Sequence, residues 1–582
     1  MIKLIRYLKP FLPSVVLVLV LVLLQSLSQL FLPTLMADIV DKGIAADNYA
    51  VIFRIGGIML AVALVSAACA FAASFFSARV GMGYGRVLRN KVFSHVQGFS
   101  LREYNQFGAA SLITRITNDI TQVQMVVLMS MRMLIIAPLM MIGGIVMAVS
   151  KAPQLSRLIL ILMPVLLIAV SVMAYAVMPL FKAMQAKLDK LNLVLRENLT
   201  GIRVIRAFNR DEHEQKRFDA ANLDLTNTSI LVNRLMAIAM PGMTLLLNLA
   251  SIAIIWFGGQ RVAGGSLQVG DLMAFLQYMM QIMFSLMMVS MMFVMLPRAM
   301  ASVNRINAVL EIQPEIADPE LGMAVNLATG SAIEKRGYLE FRNVTFSYPG
   351  AEVPVLQDIS FLASPGEVTA VIGGTGSGKS TLINLIPRFY DVDSGSILVD
   401  GVDVRDMTQE SLRNKIGYVP QQALLFTGTI ASNIRFGKED ATFAEVHKAA
   451  ETAQALDFIS AMPEGFDAPV AQGGVNLSGG QKQRLAIARA LVRHPEIYIF
   501  DDSFSALDFR TDARLRRALK DETANATMLI VAQRVTTVMD ADRIIVLEKG
   551  TVAGIGTHKE LMETCTVYRE IVLSQVSEEE IA

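Results

Sequence analysis

The chain has 582 residues, of which 53% are hydrophobic and 18% are charged. This length predicts more than one domain, and the composition is too apolar for a soluble protein of ordinary kind. The formal net charge of +1 argues against a general electrostatic affinity for nucleic acid, and two cysteines, Cys69 and Cys565, fit neither a disulfide framework nor a metal-binding knuckle.

Long apolar runs fill the first half of the chain. Six of them are each long enough to cross a hydrocarbon core of about 30 Å: residues 14–36, 51–78, 126–150, 155–181, 236–257 and 270–296. The first run is too long for the apolar core of a secretory signal. We therefore expect six transmembrane helices in an all-α membrane domain.

The connections between these runs indicate an orientation. The long connections, residues 79–125 and 182–235, are rich in Lys and Arg, whereas the short ones contain few basic residues. Because basic loops stay on the cytoplasmic side, we expect the long connections and both termini to be cytoplasmic. Helical spacing of the apolar residues in 187–217 further predicts that the membrane helices continue into the cytosol.

The pattern changes after residue 296. Pro314 and Pro319 punctuate the chain at this point, and residues 316–337 are predicted to form a linker. From residue 338 onward, short β-rich runs alternate with helical stretches, which is typical of an α/β domain with a largely parallel sheet. The sequence thus predicts a membrane domain at 1–315, a linker at 316–337 and an α/β domain at 338–582.

The α/β half contains a phosphate-binding motif. GGTGSGKST at 373–381 matches G-x-x-x-x-G-K-[ST] between a strand-like run and a helical run. Its backbone N–H groups would wrap the phosphates, Lys379 would reach the β- and γ-phosphates, and Ser380 would bind Mg²⁺. The predicted ligands are therefore ATP and Mg²⁺, bound by Gly373, Gly374, Thr375, Gly376, Ser377, Gly378, Lys379, Ser380 and Thr381.

A second motif, IYIFDD at 497–502, has the form of a buried strand that carries a carboxylate to the metal. Asp501 ends the apolar run and is the expected Mg²⁺ ligand. The next residue, Asp502, stands where a base that activates water would be expected, usually Glu. Its side chain is one methylene shorter than that of Glu.

Together with VPQ at 419–421 and LSGGQ at 477–481, these motifs make the chain resemble an ATP-binding cassette exporter of the half-transporter type, nearly end to end. The resemblance implies a six-helix exporter-type membrane domain with cytoplasmic coupling loops, fused to an α/β P-loop nucleotide-binding domain. It also suggests that 111–119 and 207–214 are the coupling helices that dock on nucleotide-binding domains.

The resemblance also implies roles for single residues. Tyr348 would stack on adenine, and Gln421 would sense Mg²⁺ and the γ-phosphate, as a metal ligand beside Ser380 and Asp501. The signature would contact ATP bound on the other subunit, and its residues are Leu477, Ser478, Gly479, Gly480 and Gln481. The segment SALD at 505–508 would signal across the dimer.

Three positions depart from the family pattern. Asp502 replaces the catalytic Glu, Gln533 in VAQRVTTV replaces the usual His of the switch loop, and Gln472 stands where exporters often have Glu. Gln cannot become a cation at neutral pH. This combination resembles the degenerate-site subunit of heterodimeric bacterial multidrug exporters, which lends an intact signature to its partner's competent site. The alternative is a slow homodimer that uses Asp502 as a weak base.

The spans favour amphipathic or apolar cargo. Arg132 and Arg157 lie near span ends, and no cluster of charges inside the spans indicates a charged cargo. The sixth span is rich in Met, whose side chains adapt to apolar ligands of different shape. We therefore expect ATP-driven multidrug export across the cytoplasmic membrane of a bacterium by a multi-pass heterodimer. A lipid or lipopeptide flippase, and an ATP-binding regulatory subunit or ATP-gated channel, remain alternatives.

Overall fold

The computed structural model describes Leu4 and residues 6–319 and 336–575. Two compact units share the chain, and each is formed from two segments. The membrane unit consists of Met1–Gln97 and Ala110–Ile312, and the α/β unit consists of Gly98–Ala109 and Gln313–Ala582. Most of the expected linker, 316–337, lies outside the described residues.

The membrane unit is helical. Its α-helices are α1 (Leu12–Asp38), α2 (Tyr49–Gln97), α4 (Ala109–Thr114), α5 (Ile120–Lys151), α6 (Arg157–Thr200), α7 (Ile202–Ala207), α8 (Asp211–Ala263) and α9 (Val269–Leu310). Within the described residues, six helical stretches are long and apolar enough to cross a membrane, which confirms the predicted number of spans. Helix α8 has 53 residues and is about 80 Å long at 1.5 Å per residue. It therefore extends well beyond a hydrocarbon core.

Helices α1, α5 and α9 form a tightly packed apolar core. Leu30 of α1, Met140 of α5 and Ile282 of α9 belong to one cluster of buried side chains. At Gly144 of α5 the contact with α9 is close, because an added Cβ would lie 2.8 Å from Cγ1 of Ile282. Small residues at such crossings let membrane helices approach closely.

A proline shapes the junction between α1 and α9. Pro33 lies inside α1 and has no N–H, so the carbonyl of Gln29 loses its helical donor. The Gln281 side chain of α9 donates from Nε2 to that oxygen at 3.3 Å. One turn away, Tyr278 donates from its hydroxyl to the carbonyl of Leu30 at 3.0 Å. The two spans are thus joined by hydrogen bonds at the point where one backbone hydrogen bond of α1 is missing.

The α/β unit contains three sheets. Its strands are β1 (Leu339–Phe346), β2 (Leu356–Ala363), β3 (Val368–Gly373), β4 (Ser394–Val399), β5 (Val402–Asp403), β6 (Ile416–Val419), β7 (Gly428–Thr429), β8 (Pro469–Val470), β9 (Ile497–Asp501), β10 (Thr527–Val531), β11 (Arg543–Glu548) and β12 (Thr551–Gly556). The main sheet has the order β12-β11-β3-β10-β9-β6 and is parallel except for β12. An antiparallel sheet, β2-β1-β4-β5, and a short β7-β8 pair accompany it.

Helices cover both faces of the main sheet. They are α10 (Lys379–Leu385), α11 (Gln409–Asn414), α12 (Ile430–Arg435), α13 (Phe443–Thr452), α14 (Leu456–Ser460), α15 (Gly479–Leu491), α16 (Phe509–Glu522), α17 (Val535–Val538), α18 (His558–Thr564) and α19 (Thr566–Leu573). Alternate residues of β9 point to opposite faces: Ile499 packs in one apolar cluster and Phe500 in the other. This double burial explains why the strand is apolar throughout.

The segment from the first long connection that groups with the α/β unit is 98–109, not 111–119 as the sequence suggested. Its helix, α3 (Leu101–Phe107), begins with a capping box between Ser100 and Glu103. Asn105 of α3 donates from Nδ2 to the Tyr390 hydroxyl at 3.4 Å. Residues 111–119 instead lie in the membrane unit, in α4 and the π-helical turn Arg115–Asp119 that leads into α5. The physical reason is that Gly108, with φ of 73°, ends α3 and separates the two helices.

Candidate functional site

The phosphate loop lies at the carboxyl end of β3. Gly376 and Gly378 have φ of 81° and 98°, a left-handed conformation that glycine adopts without steric cost. Helix α10 begins directly afterwards, so its first N–H groups face the loop. Gly373 has no room for a side chain, because an added Cβ would lie 2.2 Å from the carbonyl oxygen of Leu547. This geometry suits a phosphate cradle.

Lys379 reaches across this loop. Its Nζ donates to the carbonyl oxygens of Gly373 and Gly374, both at 2.8 Å, and the residue is only 8% exposed. Burial lowers the pKa of Lys379, while the charges of Asp502 and Asp501 oppose that shift. The ammonium group is therefore held at the mouth of the cradle, close to both carboxylates.

The two adjacent aspartates differ in environment. Asp501 is 7% exposed, and burial, with the negative charge of Asp502 added, raises its pKa to about 6. Asp502 is half-buried and has φ of 44°, a region that Asp enters more readily than most residues. Its Oδ2 accepts a hydrogen bond from Nε2 of Gln421 at 3.3 Å. The structure thus brings the expected metal ligand, the base position and Gln421 together.

The oxygen ligands present suit Mg²⁺. The Ser380 hydroxyl donates to Oδ1 of Asp501 at 3.4 Å, and Mg²⁺ in nucleotide sites takes one or two protein oxygens and completes its shell with phosphate and water. No group of three or more His, Cys, Asp or Glu side chains placed to bind a metal occurs among the described residues. A metal here would therefore depend on bound nucleotide for most of its ligands.

Gln533 lies in the loop after β10, beside Asp502. The N–H of Asp502 donates to the carbonyl of Val531, two residues before Gln533, at 2.8 Å. The Gln533 side chain is exposed, whereas its main-chain carbonyl accepts a hydrogen bond from Nε2 of Gln575 at 2.9 Å. The sequence reading missed Gln575, since an isolated Gln near the C-terminus matches no motif.

The aromatic position predicted to stack on adenine is supported by two neighbours. The Tyr348 hydroxyl lies 3.1 Å from the Thr381 hydroxyl at the start of α10. The ring of Tyr348 packs edge-to-face on Tyr390, with centroids 5.4 Å apart. Since Asn105 contacts Tyr390, this aromatic pair connects the phosphate-loop helix with α3. Sequence analysis did not single out Tyr390.

The signature segment forms the beginning of α15. Ser478 is the N-cap: its Oγ accepts from the Gln481 N–H at 3.3 Å, and Gln481 Oε1 accepts from the Ser478 N–H at 2.8 Å. Leu477 is buried beneath this turn, while Ser478 and Gly479 are exposed. No hydrogen bond joins residues 477–481 to residues 373–381 in the part of the chain that the structure describes. The start of α15 is therefore an exposed helix N-terminus.

The segments flanking the signature are also placed. An added Cβ at Gly480 would lie 3.2 Å from the Ala506 carbonyl, so SALD at 505–508 packs directly against the start of α15. Gln472 begins a 3₁₀ turn, Gln472–Gly474, and its side chain is exposed. Both segments thus border the surface on which the signature lies.

Two family models match the chain. One described as ABC transporter transmembrane region covers residues 15–286, and one described as ABC transporter covers residues 356–505. An uncharacterized ABC transporter ATP-binding protein of Mycobacterium tuberculosis (strain CDC 1551 / Oshkosh) is 42% identical over 573 residues, which is 98% of this chain and 97% of that protein.

Other relatives have names that describe a cargo. YgaD of Bacillus subtilis (strain 168), named for multidrug export, is 32% identical across 98% of both chains. The ATP-dependent lipid A-core flippase of Desulfotalea psychrophila (strain LSv54 / DSM 12343) is 33% identical across 91% of both. Among solved structures, a bacterial Atm1-family ABC exporter with ATP bound superposes with a TM-score of 0.78 at 25% identity, covering 98% of this chain and 99% of that one. The chain therefore belongs to the ABC transporter family, as an exporter that carries its transmembrane region and its ATP-binding domain in one polypeptide.

Proposed function

We propose that this ATP-driven exporter is one subunit of a heterodimer that transports amphipathic and apolar compounds, with its own ATP site weakly hydrolytic. The observation that carries the proposal is the pairing of Asp502 and Gln533 beside an otherwise complete phosphate site. The partner is a homologous half-transporter whose competent site receives the intact signature of this chain. We place the protein in the cytoplasmic membrane of a bacterium, with both termini in the cytosol.

The geometry gives a physical reason for slow hydrolysis. A general base must come within about 2.6–3.2 Å of the proton that it removes, and a misplacement of about 1 Å costs on the order of 10²-fold in rate. Asp502 is one methylene shorter than Glu and is already hydrogen-bonded to Gln421. Lys379 and the loop N–H groups would still bind the phosphates. This site would therefore retain ATP and favour closure without setting turnover.

The signature would act on the other site. Ser478 and the exposed N–H groups at the start of α15 form a site for phosphate at a helix N-terminus. Tyr348 would stack on adenine, and residues 98–109 and 207–214 would dock on nucleotide-binding domains. The roles of Ser478, Tyr348 and 207–214 rest on matching positions in the family, whereas that of 98–109 rests on its grouping with the α/β unit.

The cargo class rests on the membrane helices. The polar groups Gln281 and Tyr278 are engaged with main-chain oxygens of α1, and Arg132 donates to the Ser74 hydroxyl at 3.4 Å. Lys151 and Asp271 form an ion pair at 3.2 Å, but this pair joins the last residue of α5 to the first turn of α9. In the middle of the spans, the described residues form no carboxylate–ammonium pair that would select an ion. The Desulfotalea psychrophila relative makes lipid flipping the second candidate, which the same transport assay tests with labelled lipids.

The pairing is tested by restoring the two departing positions. The chain purified alone should bind ATP but hydrolyse it slowly, whereas Asp502→Glu combined with Gln533→His should raise that ATPase rate by about 10-fold or more. Lys379→Ala in the same background is the control and should abolish the gain. If the unmodified chain alone hydrolyses ATP as fast as the double variant, the weak-site proposal is wrong. Co-purification of a homologous chain with Glu and His at these positions would identify the partner.

A channel or regulatory role makes a different prediction. In that case, nucleotide binding would gate a flux without consuming ATP in proportion to it. Reconstituted pairs should instead move cargo only while ATP is hydrolysed, and a nucleotide that binds without being cleaved should stop transport. Flux that continues with such a nucleotide would favour the channel.

A further inference from the structure

The loop after β10 occupies the nucleotide edge of the main sheet. Strand β10 lies between β3 and β9 in a parallel arrangement, so the ends of the three strands meet at one edge. The Ala532 N–H donates to the Val371 carbonyl at 3.2 Å, and the Asp502 N–H donates to the Val531 carbonyl at 2.8 Å. Gln533 is the next residue of the loop, so its position depends on how the main chain is held there.

A side chain from the far end of the sequence holds this loop. Oε1 of Gln575 accepts from the Val535 N–H at 2.8 Å, and its Nε2 donates to the Gln533 carbonyl at 2.9 Å. One carboxamide thus fixes the backbone on both sides of Arg534. Val535 is the first residue of α17, whose first N–H groups have no partner within the helix. The contact therefore satisfies a polar group that the helix cannot.

Gln575 has a rigid support. It follows α19, whose Tyr568 and Val572 are fully buried in the same apolar cluster as Val535 and Val538. The Tyr568 hydroxyl also lies 2.8 Å from Nδ1 of His558. The C-terminal helix is therefore held by apolar packing and by this hydrogen bond, in addition to the contacts that Gln575 makes.

The same helix borders the phosphate loop. Glu570, Ile571 and Ser574 line a cavity of about 350 Å³ whose opposite wall includes Gly374–Ser377. The end of α19 thus lies beside two of the segments that meet at the nucleotide edge. A shift of this helix end would therefore affect both the phosphate loop and the loop after β10.

We infer that Gln575 is a positioning residue of the nucleotide site: it sets the main chain around Arg534 and thereby where the Gln533 side chain points. This makes the C-terminal helix part of the ATP site, although it contains no nucleotide motif. The inference rests on the ATP site of the family, and it is independent of the heterodimer and of the cargo, since it concerns nucleotide retention rather than turnover.

A double-mutant cycle tests the inference in the full-length protein. Gln575→Met keeps the volume of the side chain and removes both hydrogen bonds, and Gln533→Ala removes the side chain that is positioned. The rate of release of Mg²⁺-bound mant-ATP should rise by about threefold to tenfold in each variant. The double variant should release no faster than the faster single variant, because both act through one contact.

Two further variants separate positioning from folding. Gln575→Glu keeps the acceptor for the Val535 N–H and loses the donor to Gln533, so its release rate should be intermediate. Gln454→Met removes a half-buried carboxamide in the turn after α13, whose Nε2 donates to the Glu451 carbonyl at 3.3 Å, and its rate should be that of the wild type. The melting temperature of every variant is measured in parallel.

Three results would overturn the inference. Effects of Gln575→Met and Gln533→Ala that multiply would show independent actions. A release rate for Gln575→Met within about twofold of the wild type, with or without a lower melting temperature, would reduce Gln575 to a cap of α17. If the wild-type chain does not bind Mg²⁺–mant-ATP, the assignment of the nucleotide site itself is wrong.

Discussion

At the scale of single residues, one methylene group separates Asp502 from the Glu expected at its position. The backbone there is left-handed, with φ of 44°, and Asp tolerates this conformation well. The shorter carboxylate accepts a hydrogen bond from Gln421 at 3.3 Å. Under the proposed function, the site would keep its fold and its nucleotide contacts while losing the reach that hydrolysis needs.

The crossed arrangement predicts unequal effects of mutation in the assembled pair. Ser478→Arg should lower ATPase activity by about 10²–10³-fold, because it removes a phosphate donor from the competent site. Asp502→Ala should change the rate only modestly, and Lys379→Ala should fall between the two. Steady-state ATPase rates of the three mutant heterodimers are the measurement. Ser411→Arg, at an exposed position in α11, is the control and should behave as wild type.

One result would contradict the weak-site proposal. If Asp502→Ala lowers the ATPase rate as much as Ser478→Arg does, this chain's own site is the catalytic one. A damaged Ser411→Arg variant would instead indicate a general effect of added charge.

At the scale of elements, close contact between α5 and α9 depends on a missing side chain. Gly144→Ala would place a Cβ 2.8 Å from Ile282, and such overpacking typically costs about 1–3 kcal/mol. We expect a lower melting temperature in detergent, with recovery when Ile282→Val is added. Gly259→Ala is the matched control, since an added Cβ in α8 meets nothing within 4 Å and Ala is the better helix former. Equal melting temperatures for the two Gly variants would contradict the packing argument.

How far the sequence predicts an element depends on whether its signal is local. The spans and the phosphate loop were predictable because their structure is determined by local sequence: an apolar run in one case, and a glycine-rich turn between strand and helix in the other. The assignment of 98–109 rather than 111–119 to the α/β unit was not, because both stretches have helical spacing and only long-range packing distinguishes them. Gln575 was invisible for the same reason: its partners are about 40 positions away in the chain.

At the scale of the whole molecule, cargo selectivity should be broad. Because the ion pair Lys151–Asp271 lies at the ends of α5 and α9 and the described residues form no such pair in the middle of the spans, transport by the reconstituted pair should accept chemically varied amphipathic dyes, drugs and lipids. Accumulation of each compound in inside-out vesicles with ATP is the measurement. The control vesicles contain Lys379→Ala in this chain together with an alanine in place of the phosphate-loop lysine of the partner. Strict selectivity for one small hydrophilic anion would contradict the cargo class.

The hydrogen bond between Gln281 and the carbonyl that Pro33 leaves unsatisfied has a consequence for evolution. Each residue is useful only when the other is present. If Pro33 is replaced, the Gln29 carbonyl regains a donor from its own helix. If Gln281 is replaced, the proline leaves that carbonyl without a donor inside the membrane. The two positions should therefore change together across descendants of this gene: loss of both the proline and the glutamine should be more frequent than loss of either one alone. A substitution at Pro33 should remove the need for a side-chain donor at Gln281. Proteins that have lost the proline of the first span should therefore tolerate more substitutions at this position of the sixth.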